Sequence, residues 1–202
     1  VKPTFEDIRE LVESWESLSP PENRTRLLGQ LDEMGPGDPG RAEILNILGT
    51  QTGLDPTEEW LDLTRAAQAD GGPTTLDPRV NTLWVLVQLG RDEEADALTK
   101  ELLRAPGRDD VLVGLHAYLG DILEDAGRLQ AAHRAFTVGL RDFEPEEDEP
   151  TVDEDLCLVG RYRVRRELGL GSDTLDRWVE ADQPEAAAAI RERARSGSGP
   201  GV

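Results

Sequence analysis

Apolar residues recur at helical spacing through almost the whole chain, and capping residues divide that pattern into ten or eleven helices with no convincing strand. Phe5, Ile8, Leu11, Val12, Trp15 and Leu18 form one stripe behind Thr4 and Asp7, predicting a helix to about residue 18. Ser19-Pro20 opens a second helix carrying Leu27, Leu28, Leu31 and Met34, and GPGDPG at 35–40 breaks the chain. Asp-Pro then recurs at Asp38-Pro39, Asp55-Pro56 and Asp77-Pro78. At each, Asp can accept from free amides while Pro, lacking an N–H, occupies the first turn without loss, so three helix starts are predicted. Further stripes run through Ile44–Leu48, Trp60–Leu63, Val80–Leu89, Ala95–Leu103 (closed by Pro106-Gly107) and, after Asp109-Asp110, residues 113–145. Val152 to Leu168, Leu175 to Val179 behind Ser172-Asp173, and an Ala-rich helix at 184–195 complete the set. The tail at 196–202 has no apolar content and is expected to be disordered.

The stretch VGLHAYLGDILEDAGRLQAAHRAFTVGLRDFEP is the most regular part. With Val113 as position one, small residues fall at eight (Gly120), twenty (Ala132) and twenty-seven (Gly139), an aromatic at twenty-four (Phe136) and a turn glycine at fifteen (Gly127). Small residues let two helices approach closely, and Gly127 supplies the left-handed backbone that ends the first of them. This spacing resembles the tetratricopeptide repeat (TPR), whose helix pairs cannot bury their apolar faces alone and need stacked neighbours. Helix pairs start near residues 4, 38, 77, 110 and 152, scattering about the 34-residue period of that repeat, and Gly90 and Ala95 repeat Gly127 and Ala132. The expected fold is all-α: one domain over residues 1–195, a right-handed α-solenoid of about five helix pairs.

At LVGRYRVRRELGLGSDTLD, residues 158–176, the chain also resembles a group of actinobacterial TPR proteins that end in a GRxRVRxxLGLxxDxLD-like segment and are often linked to a SEC-C motif. Gly160, Arg161, Arg163, Val164, Arg165, Leu168, Gly169, Leu170, Asp173, Leu175 and Asp176 carry the match. The Cys-rich metal motif is absent, so the resemblance implies a scaffold and brings no zinc. In TPR stacks the first helices line a concave groove. The resemblance assigns to it Val80, Trp84, Val87 and Gln88; then Gly114, Ala117, Asp121, Glu124 and Asp125; then Glu154, Cys157, Arg161, Val164 and Arg165. Arg161 and Arg165 would fork onto a partner carboxylate, or alternatively pair with Asp121, Glu124 or Asp125. Trp84 is groove floor or core; Trp15, Trp60 and Trp178 read as core.

Charge narrows the partners. Acids number 42 against 22 bases, a net charge of −20. That surface repels phosphate backbones and anionic membranes and favours basic protein segments. RYRVRR, residues 161–166, therefore reads as a face for internal ion pairs and not for nucleic acid. The acidic run EPEEDEPTVDED, residues 144–155, reads as an extended loop, solvated, set against the arginines, or open to a basic tail or cations. A sole cysteine with two histidines cannot build a closed zinc site, and neither a signal segment nor a membrane-length apolar run is present, giving the expectation of a cytoplasmic protein without metal or cofactor. Catalytic motifs are missing, and His116 sits where the repeat wants a large buried side chain. The function expected is a non-enzymatic scaffold that binds a peptide or basic segment. The alternatives are a homo-oligomer joined through terminal helices and an acidic inhibitor or nucleic-acid mimic.

Overall fold

A computed structural model describes residues 4–15, 17–50, 55–104, 111–145 and 149–196. Among them are eleven α-helices and no strand: α1 (Phe5–Glu13), α2 (Pro20–Asp32), α3 (Arg41–Leu48), α4 (Glu58–Asp70), α5 (Pro78–Gln88), α6 (Asp92–Leu102), α7 (Val111–Asp125), α8 (Leu129–Gly139), α9 (Val152–Glu167), α10 (Thr174–Asp182) and α11 (Pro184–Ser196).

Most starts follow the caps. Asp7 and Glu22 reach back to the amides of Thr4 and Ser19, Asp77 accepts from the Arg79 amide ahead of Pro78, and Thr151 and Asp173 form capping boxes with Glu154 and Asp176. The other two Asp-Pro pairs do not open helices. Asp38 is claimed by the amide of Gly35 at 2.9 Å, and α3 is capped by Gly40, whose φ of +80° only glycine adopts readily. A Cβ there would also lie 2.6 Å from Ile8. After Asp55-Pro56 the cap is Thr57. Helix α1 stops at Glu13 and does not reach residue 18, because the Ser14 hydroxyl bonds back to Leu11 and the carbonyl of Trp15 is taken by the Asn23 side chain. The acidic run is not all loop: α9 begins at Val152, and Asp153, Glu154 and Asp155 fill its first turn, where the helix dipole favours anions. Residues 146–148, Pro106-Gly107, Asp109-Asp110 and the tail 197–202 lie outside the described residues.

The chain divides into two compact units, Val1–Leu102 and Leu103–Val202. In unit 1 each helix from α2 to α6 packs on the next. Its core centres on Ile8, Leu27, Ile44 and Leu48, with Trp15, Leu31, Met34 and Leu63 around them. The seams between α3, α4 and α5 are partly polar. Thr82 Oγ1 donates to Thr64 Oγ1 at 3.0 Å, Asn81 Nδ2 to Asn46 Oδ1 at 2.9 Å, and Asn46 Nδ2 to the Leu76 carbonyl at 2.8 Å. All four side chains are buried.

In unit 2, α7 and α8 form a hairpin closed by Gly127 at φ +69°, with the Gly127 and Arg128 amides bonded back to Glu124 and Leu123. Helix α9 packs against α7, α8, α10 and α11. The Phe136 ring on α8 fills the space in front of two glycines: a Cβ on Gly120 of α7 would lie 2.3 Å from it, and one on Gly160 of α9 2.5 Å. At Gly139 a Cβ would meet Cys157 Sγ at 2.7 Å and His116 Cβ at 3.1 Å. Removing the methyl group at three points is what allows α7, α8 and α9 to close on one another.

Candidate functional site

Helix α5 of unit 1 presents Trp84 and, one turn on, Gln88. Trp84 is half-buried, stacked on the buried Trp60 with ring centroids 6.1 Å apart and planes at 28°, so it is both core lid and surface. Gln88 is exposed, while Val80 is fully buried and unavailable to a partner.

In unit 2, Asp121 and Asp125 are exposed on α7, but Glu124 is buried. The partner that holds Glu124 is Arg163. Its Nε and Nη2 fork onto both carboxylate oxygens at 2.5 and 2.6 Å, and Nη2 also reaches Asp121 at 3.0 Å. Although half in solvent, Asp121 is partly desolvated against α9, which raises its carboxyl, and Arg163 opposes that rise only in part while Glu124 and Asp125 add to it.

Arg161 and Arg165, expected beside these acids or open to a partner carboxylate, point elsewhere. Arg161 is 7% exposed, and its guanidinium bonds Asp173 and Asp176. Arg165 bonds Asp176 through Nε at 3.0 Å, pairs with Asp173 at 3.2 Å and donates to the Gly171 carbonyl. Arg166 adds a third guanidinium to Asp176 at 2.7 Å and lies over the Tyr162 ring. The physical reason is the cap of α10. Asp173 and Asp176 are already drawn together by the capping box, and a fully buried Asp176 carboxylate is tolerable only with cations around it. Burial alone would raise the Asp173 carboxyl, but hydrogen bonds from Arg161 and the Asp176 amide, with the charges of Arg161 and Arg165, hold it down to about 2.

The face expected to line a groove on α9 is thus turned inward: Cys157, Arg161 and Val164 are buried, as is Ala117 on α7. The open stripe of α9 is instead Val152, Leu156, Val159, Arg163 and Glu167, spaced four, three, four and four residues apart. Val152 and Leu156 are 79% and 51% exposed, the most exposed large apolar side chains described. Further along, Arg163 and Glu167 meet Ala189, Ile190, Arg193 and Ala194 of α11 around a cleft of about 140 Å³. The sequence places Val152, Leu156 and Val159 on one apolar helical stripe, but not the exposure of its first two members.

Burial, with Asp153, Asp121 and Glu154 nearby, pushes the Cys157 thiol up to about 12, the opposite of an activated thiolate. His116 is 2% exposed, neither ring nitrogen has a hydrogen-bond partner, and burial with the nearby Arg141 charge holds it below the usual histidine range. Among the described residues no three His, Cys, Asp or Glu side chains are grouped to hold a metal ion, and no helix is long and apolar enough to cross a membrane. No family model, curated protein or solved structure matches the chain.

Proposed function

We propose that the chain is a non-enzymatic scaffold of TPR-like character, in which the first helices of each unit offer their own outer faces to basic protein segments. The observation that carries this reading is the Phe136 ring lodged between Gly120 of α7 and Gly160 of α9. One aromatic reaching from the second helix of a pair to small residues on its own first helix and on the next is how stacked helix pairs share an interior. Gly139 against His116 and Cys157 supports the same reading. Such stacking spends the inner faces on packing and leaves the outer faces of the first helices for recognition. In unit 1 such a face carries Trp84 and Gln88 on α5; in unit 2 a separate one carries Asp125 and, half in solvent beside Arg163, Asp121 on α7.

The net charge of −20 favours partners rich in Lys and Arg, through faster encounter and through exclusion of acidic competitors. Arg161 and Arg165 are assigned to holding α10 and not to capture, since their guanidiniums are engaged by Asp173 and Asp176. A peptide array graded from acidic to basic tests the proposal. Retention of basic peptides, reduced in Trp84→Ala and in Asp121→Lys with Asp125→Lys at unchanged helicity, is expected. Retention independent of peptide charge and unaffected by these variants would refute it.

A further inference from the structure

The arginine–aspartate cluster at the start of α10 reaches α8 through one imidazole. His133 and Thr137, four residues apart on α8, face Arg165 and Arg161, four apart on α9. Arg165 Nη1 lies 3.4 Å from His133 Nε2. A guanidinium only donates, so Nε2 is the acceptor and the ring proton sits on Nδ1. The other nitrogens of Arg165 hold Asp176, Asp173 and the Gly171 carbonyl, which shape the start of α10. Charge around the imidazole opposes a second proton. Three guanidiniums, Arg161, Arg165 and Arg166, meet two carboxylates, Asp173 and Asp176, so the cluster already carries excess positive charge. Burial, then Arg161 and Arg165, holds His133 below the usual histidine range, and Asp173 and Asp176 oppose them. Arg134 beside it on α8 is exposed. From α7, the other helix packed on α8, His116 faces Gly139, about 9 Å farther along, while Asp121 and Glu124 are turned to Arg163.

We propose that His133 is an acid-sensitive latch: while neutral it fixes Arg165 over the turn into α10, and its protonation frees α10 from α9. A proton on Nε2 removes the lone pair that Arg165 donates to and sets a second cation beside the guanidinium. Arg165 then turns away, and Asp173, Asp176 and the Gly171 carbonyl lose one of their donors together. The closed arrangement disfavours the proton, so the latch is fully set above pH 6.5 and weakens as pH falls through 6.5 toward the closed-state value. The event is local, because the Phe136 wedge that joins α7, α8 and α9 has no part in it. Trp178, the sole tryptophan of unit 2, lies on α10 edge-on to Phe143 at 5.8 Å and reports the release. The latch stands apart from the protein-binding reading and does not rest on it.

Hydrogen exchange of the whole chain at pH 7.5 and 5.5, corrected for the pH dependence of intrinsic exchange, tests the latch. Protection of α10 should fall about tenfold at the lower pH, as loss of one hydrogen bond from a charged donor implies, while that of α7 holds. His133→Gln, whose side-chain oxygen can accept from Arg165 without titrating, should keep α10 protected at both values. His133→Lys should leave it weakly protected at both. In the unaltered protein the Trp178 indole resonance should titrate together with the His133 ring, a readout that needs no variant to fold. Equal loss in wild type and His133→Gln overturns the proposal, as does a Trp178 signal that follows His116 or stays fixed. A loss spread evenly over α7 to α11 and removed by His116→Leu would assign the transition to the buried histidine, and also overturn it.

Discussion

The two units close their helix seams with different chemistry. In unit 2 an aromatic ring enters a space vacated by two glycines, Gly120 and Gly160, and the contact is apolar throughout. In unit 1 glycine also admits α4 to α3, where a Cβ on Gly49 would lie 2.5 Å from Thr64, but α5 is tied to α4 and α3 by side-chain hydrogen bonds, Thr64 to Thr82 and Asn46 to Asn81, inside an otherwise apolar setting. A wedge depends on shape and fails by leaving a void. A buried hydrogen bond contributes little net energy, yet it is costly when half of it is removed. The two seams should therefore fail on different substitutions and by different amounts.

The largest effect is expected from Phe136→Ala, which should lower the stability of unit 2 by about 3–5 kcal/mol and leave unit 1 unchanged. Urea unfolding followed by hydrogen exchange, which resolves the two units, measures this; equal loss in both would show that they do not behave as separate cooperative blocks. Asn46→Ala comes next, at about 1–3 kcal/mol confined to unit 1, because the Asn81 amide is left buried without its acceptor. The paired change Thr64→Val with Thr82→Val should cost less than either half-removal suggests, under about 1 kcal/mol, since both partners become apolar at similar size.

Acidity separates the units more gently. Both histidines, His116 and His133, lie in unit 2, and burial first, then neighbouring arginine charge, holds each below the ordinary histidine value of 6.5. The unfolded chain then takes up protons before the folded one, so the stability they allow is full above pH 6.5 and declines as pH falls through 6.5 toward the folded values. Urea midpoints of unit 2 should drop from pH 7.5 to 5.5 while those of unit 1 stay level, and His116→Leu should flatten the slope. Asp173 follows the same direction lower on the scale: its contribution is present above 3.8 and is lost as pH falls toward about 2. The smallest effect belongs to Leu156→Ser, within about 0.5 kcal/mol of wild type in thermal melts, because its side chain is half in solvent.

Which features were legible in the sequence follows from how local they are. Asp77-Pro78, Gly127 and the box of Asp173 with Asp176 act within a few residues, so their chemistry can be read directly. Asp38-Pro39 carries the same letters but lost its carboxylate to Gly35, an amide upstream that the helix-start rule does not consult. The arginines of α9 expose a different limit. Spacing of two residues in a helix turns a side chain by about 200°, so Arg161 and Arg165 share one face and Arg163 takes the opposite one. Spacing alone does not say which face meets α7. Gly160 against Phe136, and the Tyr162 hydroxyl donating to Glu180 at 2.9 Å, fix that rotation, and they direct Arg163 to Glu124 and the other two to α10. The stripe of Val152 and Leu156 is visible in the sequence, and its exposure is not, for the same reason.

Cys157 lies beneath Gly139, the sole sulfhydryl in the chain, shut away from solvent and protonated across the physiological range. Alkylating reagents should pass over it until α9 lifts from α8. Its modification rate is thus a native clock for the opening of that seam, readable by mass spectrometry on the unaltered protein without any engineered label.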